Sequence, residues 1–187
     1  MTALQSVLLS LAVAWAITGC QPRSVDGTPE LKSPRPSVIG AIEGERRFLR
    51  GGTAPLLIKV DPVTTGSRRM ILTTSDLPPG DAIGIHRHLS EDEIILVTRG
   101  TAQVQLGKEK YTATTGSTVF IPQGTCIAVT NISQDTFSMA AVFSSPGFER
   151  VLREVSSPAG APPKPVTPAT RAAAFHRGHA EAGPTKC

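Results

Sequence analysis

Between Leu56 and Phe143 nearly every apolar run is short, rich in β-branched residues and bounded by Gly, Pro, Asp or Asn, and no window holds a sustained helical period. A chain punctuated in this way buries its apolar faces by pairing strands, which predicts an all-β domain. Nine strands are expected, over Leu56–Val60, Met70–Thr74, Ala82–His88, Glu93–Thr98, Thr101–Leu106, Lys110–Ala113, Thr118–Ile121, Thr125–Val129 and Phe137–Phe143. Turn signals recurring about every 8–12 residues point to a sandwich or barrel. Two stripes alternate cleanly: Ala102, Val104 and Leu106 share one face, as do Phe137, Met139, Ala141 and Phe143. Both are assigned to the core, as is Phe120. Short helices are expected over Pro146–Val155 and Thr167–His176, with Pro168 suited to a first turn and Gly178 to a stop.

Proline and charge bound this domain. Ten of the 16 prolines lie before residue 41 or after residue 154. Segments so rich in Pro, Ser and Ala bury too little apolar surface to offset their ordering entropy. Residues 41–154 are therefore the domain, residues 20–40 a linker and residues 155–187 a tail. The formal charge of +4 sits on the flanks, since residues 41–154 carry 12 basic and 12 acidic side chains. A neutral domain gives no support to a nucleic-acid partner.

Residues 1–19 read as an export signal: Ala3–Gly19 has no charged residue, and the apolar run Val7–Ile17 is short for a membrane span. Its end, Ile17-Thr18-Gly19-Cys20, resembles the lipobox of bacterial lipoproteins, which implies a lipidated Cys20 and a membrane-tethered, periplasmic domain. An ordinary secretory peptide, an uncleaved anchor and a misassigned start are the alternatives. Cys20, Cys126 and Cys187 are the three cysteines. They make no disulfide framework; a Cys126–Cys187 bridge and two separate thiols both fit the spacing.

The chemistry-bearing stretch runs from Gly80 to Gly100. His86 and His88 are two apart, so on a strand both imidazoles leave the same face and can converge on one ion at about 2.0–2.2 Å. After the turn Leu89–Asp92, Glu93 opens the next strand and can return a carboxylate to the same point. Two imidazoles and a carboxylate suit non-haem Fe(II), with Mn, Ni, Cu and Zn as competitors. The acidic run Glu91-Asp92-Glu93 also reads as a solvated turn, Arg87 as an outward residue, and His176 and His179 as part of a solvated tail.

These residues resemble the cupins, whose first motif is G-x5-H-x-H-x3,4-E-x6-G; it is met by Gly80, His86, His88, Glu93 and Gly100. The second motif, G-x5-P-x-G-x2-H-x3-N, is similar to Gly116, Pro122, Gly124 and Asn131, but Ile127 stands where the family has its last histidine. The stretch Ser144–Arg150 also resembles small bacterial cupins of the quercetin-dioxygenase-like kind. The resemblance implies a double-sheet jelly-roll barrel with a divalent metal in its lumen, held by His86, His88 and Glu93. Glu93 is the candidate catalytic residue, able to shuttle a proton. Dioxygenase or isomerase chemistry on a small organic substrate follows from the likeness, as does a homodimer. The missing imidazole favours an open three-ligand ion or a non-enzymatic module binding a sugar or small apolar ligand; Cys126 alternates to the opposite face, so a thiolate substitute would need a register slip or bulge.

Overall fold

The computed structural model describes residues 31–49, 53–183 and 187. Among the described residues the chain forms β1 (Glu45–Leu49), β2 (Ala54–Val60), β3 (Ile71–Leu77), β4 (Ala82–His88), β5 (Glu93–Arg99), β6 (Thr101–Leu106), β7 (Glu109–Thr114), β8 (Thr118–Ile121), β9 (Ile127–Asn131), β10 (Phe137–Phe143), α1 (Phe148–Glu154), β11 (Ser157–Pro158), α2 (Pro168–Arg177) and β12 (Ala180–Ala182). The expected export signal, residues 1–19, and the expected lipidation site Cys20 lie outside the described residues. No helix among them is long and apolar enough to cross a membrane.

Two antiparallel sheets make a jelly roll. One has the order β11-β1-β2-β3-β10-β5-β8, the other β12-β4-β9-β6-β7. From β3 onward the chain passes repeatedly between them, so strands adjacent in sequence often lie in facing sheets. β5 shows the period-two logic: Glu93, Ile95 and Val97 point inward while Ile94, Leu96 and Thr98 face out. The core joins Ile95, Met139 and Phe143 of one sheet to Val104, Ile127 and Val129 of the other. Phe120 departs from its assignment to the core: on β8 it sits on the outward face and is exposed.

The structure corrects the reading of residues 155–187 as a tail. β12 pairs with β4, setting Ala180 opposite His88 and Ala182 opposite His86. α2 is capped by Thr167, whose side chain accepts from the Thr170 amide at 3.1 Å, and it buries Ala174 and Phe175. At its end Gly178 meets α1 so closely that a Cβ would stand 2.2 Å from Val151 Cγ2. Cys187 is bonded to Cys126 across 61 residues, with the Cα atoms 5.8 Å apart. An alanine-rich helix with one large apolar residue has too faint a stripe to be read as buried. Only its tertiary partners reveal it.

β1 was not among the expected strands, because Glu45-Arg46-Arg47 gives it no apolar alternation. Arg47 is instead buried, donating through Nε to Ser156 Oγ at 2.6 Å and through Nη2 to the Ser156 and Arg153 carbonyls at 3.0 and 2.9 Å. Arg153 meets the fully buried Asp61 at 2.6 Å. Buried charges persist when paired and hydrogen-bonded in this way.

Candidate metal centre

β4 delivers His86 and His88 from the five-stranded sheet, and the turn through Leu89–Asp92 crosses to the facing sheet before β5 begins with Glu93. The carboxylate thus comes from across the barrel, where the inner faces of the two sheets meet. All three side chains are buried, and one ligand atom from each lies within 4.8 Å of the others. His88 Nε2 stands 3.2 Å from Glu93 Oε2.

The donor set fits a divalent cation. Adjacent ligands about 2.1 Å from one ion stand about 3 Å apart, which matches the His88 to Glu93 separation. All three ligand atoms lie within 4.8 Å of one another, against about 4.2 Å between opposite ligands of such an ion. His86 Nδ1 lies 2.9 Å from the Gly84 carbonyl oxygen, which leaves Nε2 as its ligand atom. Both His88 ring nitrogens and Glu93 Oε2 are buried without a hydrogen-bond partner. Polar atoms orphaned in a core carry a desolvation cost that a cation would relieve.

A residue absent from the sequence-based site is Glu91. Its side chain is fully buried, with Oε1 3.3 Å from His88 Nδ1 and Oε2 accepting from Ser90 Oγ. The acidic run is therefore divided: Glu91 and Glu93 turn inward, whereas Asp92 is exposed and accepts from the Gln123 amide at 2.8 Å. The i,i+3 spacing to His88 was the available signal, but a turn offers no fixed facing rule from which to use it.

The two imidazoles differ sharply. Burial, first, and the charge of His88 push His86 down to about 4, against the opposing pull of Glu93 and Gly84. For His88, burial also works downward but is outweighed by the Glu91 and Glu93 carboxylates, which push it up to about 9. Aromatic rings shield the pair: Phe148 lies 4.3 Å from His88 between ring centroids and stacks on His86 at 6.1 Å, with Phe175 at 5.9 Å.

His86 and Glu93 border a cavity of about 90 Å³, otherwise largely apolar, which Phe148, Arg171 and Phe175 also line. Ile127 lines it too, directly opposite His86 in the β4–β9 pairing. The lumen position of the second motif is thus filled by a buried aliphatic side chain. The thiolate substitute is overturned, because Cys126 is consumed in the disulfide. Asn131 of the same motif is a turn anchor, its Nδ2 donating to the Leu77 and Asp135 carbonyls at 2.8 Å each. Arg87 pairs with Glu181 at 2.6 Å across the β4–β12 edge, while His176 and His179 are exposed.

Residues 73–143 match the cupin domain family. That match spans the strands that carry the cluster. In fold the chain is similar to a predicted oxalate decarboxylase from Thermotoga maritima, at 17% identity and a TM-score of 0.52 over 59% of this chain and 100% of that one. KdgF from Halomonas sp. is also similar, at 17% identity and a TM-score of 0.52 over 60% of this chain and 96% of that one. A sugar phosphate isomerase of the cupin superfamily from Silicibacter pomeroyi aligns at 16% identity and 0.52, over 59% and 77%. At these identities the likeness is one of fold. No curated protein matches the chain.

Proposed function

We propose that this cupin holds a divalent metal through His86, His88 and Glu93 and acts on a small organic molecule admitted to the lumen. The observation carrying this reading is the convergence of three buried donors, two of them with orphaned atoms, on the wall of an apolar cavity. A bound cation there would supply Lewis acidity toward a substrate oxygen. The Gly84 carbonyl steers His86, and Phe143, Phe148 and Phe175 exclude water from the ligand atoms. Glu93 holds or moves a proton at Oε2. Dioxygenase or isomerase chemistry of the quercetin-dioxygenase-like kind is the finer form of the proposal. Export supports it only indirectly: the lipobox-like Cys20 and a Cys126–Cys187 disulfide, a bond that persists outside reducing compartments, both favour an envelope location.

Ile127 favours a second reading, a tethered binding module in which the cavity alone is used. Elemental analysis of the purified protein beside His86→Ala separates them. The metal reading expects about one equivalent in the natural protein and under about a tenth in the variant. Trace metal in both would leave the binding module standing.

A further inference from the structure

We propose that Glu91 is a positioning residue of this centre, gripping His88 by Nδ1 so that Nε2 is presented beside Glu93. The inference rests on the metal-binding reading and adds to it a group outside the ligand set. Four observations carry it. The Glu91 side chain is fully buried, which is costly for a carboxylate without compensation. Its Oε1 approaches His88 Nδ1 at 3.3 Å, while Glu93 Oε2 approaches Nε2 at 3.2 Å, so the imidazole is bracketed by one acid on each nitrogen. Its Oε2 is held by Ser90 Oγ, leaving Oε1 aimed at the ring with no hydrogen-bond partner. His86 already has the equivalent partner, the Gly84 carbonyl at Nδ1.

Metal-ligating histidines commonly use the second ring nitrogen on a carboxylate or carbonyl, which fixes the ring's orientation and raises its donor strength. Charge points the same way. Glu91 and Glu93 together balance the two positive charges of a divalent cation inside an apolar cavity, in a site where Ile127 supplies no fourth nitrogen. Glu91 thereby strengthens a centre that is one imidazole short.

Cobalt(II) affinity, measured on the full chain by competition with a chelator, tests this, with the visible absorption of bound cobalt reporting its coordination. Loss of an outer partner typically costs about 10–100-fold in affinity, so Glu91→Gln, which keeps an acceptor oxygen, is expected at the lower end and Glu91→Leu at the upper. Ser90→Ala, which leaves the core untouched, should weaken binding slightly and keeps the test alive should Glu91→Leu fail to fold. With His88 already replaced by Ala, Glu91→Gln should add nothing, because Glu91 acts through that ring. Equal loss in both backgrounds means a general structural effect and overturns the proposal. Natural affinity and an unchanged spectrum in folded Glu91 variants overturn it alone, whereas a natural protein that takes up no cobalt overturns the metal reading and Glu91's role together.

Discussion

The lumen has two unlike walls. On β4 and β5, His86, His88 and Glu93 turn polar atoms inward, with Glu91 behind them. On β9, set directly against β4, Ile127 and Val129 present hydrocarbon. The difference teaches that a cupin framework can lose a ligand position to an aliphatic residue while its remaining donors stay buried and converged.

The connection between the walls is the first point of attack. The disulfide fastens Cys126, next to Ile127, to the segment whose strand β12 borders β4. Cys187→Ser should cost up to about 4 kcal/mol by the chain-entropy relation for a loop of this size, read as a fall in the denaturation midpoint. A midpoint unchanged from the natural protein would mean that α2 and β12 hold without it.

Restoring a donor to the apolar wall sharpens the contrast. Ile127→His places an imidazole opposite His86, and metal affinity should rise by about 10–100-fold, the reverse of losing one coordinating or supporting partner. Chelator competition measures this, and weaker binding would show that the aliphatic wall itself shapes the site.

Acidity separates the histidines within the polar wall. Metal ligation needs neutral imidazoles. With His86 near 4 and His88 near 9, metal affinity should keep climbing between pH 6.5 and 9 as His88 releases its proton, rather than levelling near 6.5. In the metal-free protein the raised His88 contributes stability that is fully present below about pH 6.5 and lost as pH rises through 9. The lowered His86 works in the other direction: its contribution is present above 6.5 and lost as pH falls through 4. As far as these two groups govern it, stability without metal should peak near pH 6.5 and decline on both sides, a profile that denaturant titrations across pH would reveal.

The smallest effect belongs to the outer edge of the polar wall. Glu181→Ala removes the half-exposed partner of Arg87, and exposed ion pairs contribute at most about 1 kcal/mol. A larger loss would mark β12 as a stronger brace for β4 than its short ladder suggests.

Much of this architecture was legible before any coordinates. Strands β4, β6, β8 and β10 coincide with the runs read from alternation. The spacing of His86, His88 and Glu93 singled them out because two residues on a strand share a face whatever the rest of the chain does. Glu91 was not legible, since whether a turn carboxylate faces solvent or core depends on how the turn crosses between sheets. β9 began two residues later than expected, after the turn ending at Gly124 and the bridged Cys126. Arg47 hid β1, whereas α2 lies where a helix was expected and its alanines concealed only its burial.

By itself the sequence determined the period-two faces, the turns and the identity of the donors, because each is set by residues close along the chain. Tertiary structure decided that Glu93 arrives from the sheet facing His86 and His88, that Glu91 is sealed behind them, and that β11, α2 and β12 edge and cap the barrel. Those outcomes depend on which distant strands pair and which surfaces dock, and such choices are made by long-range burial of apolar area that no local pattern encodes.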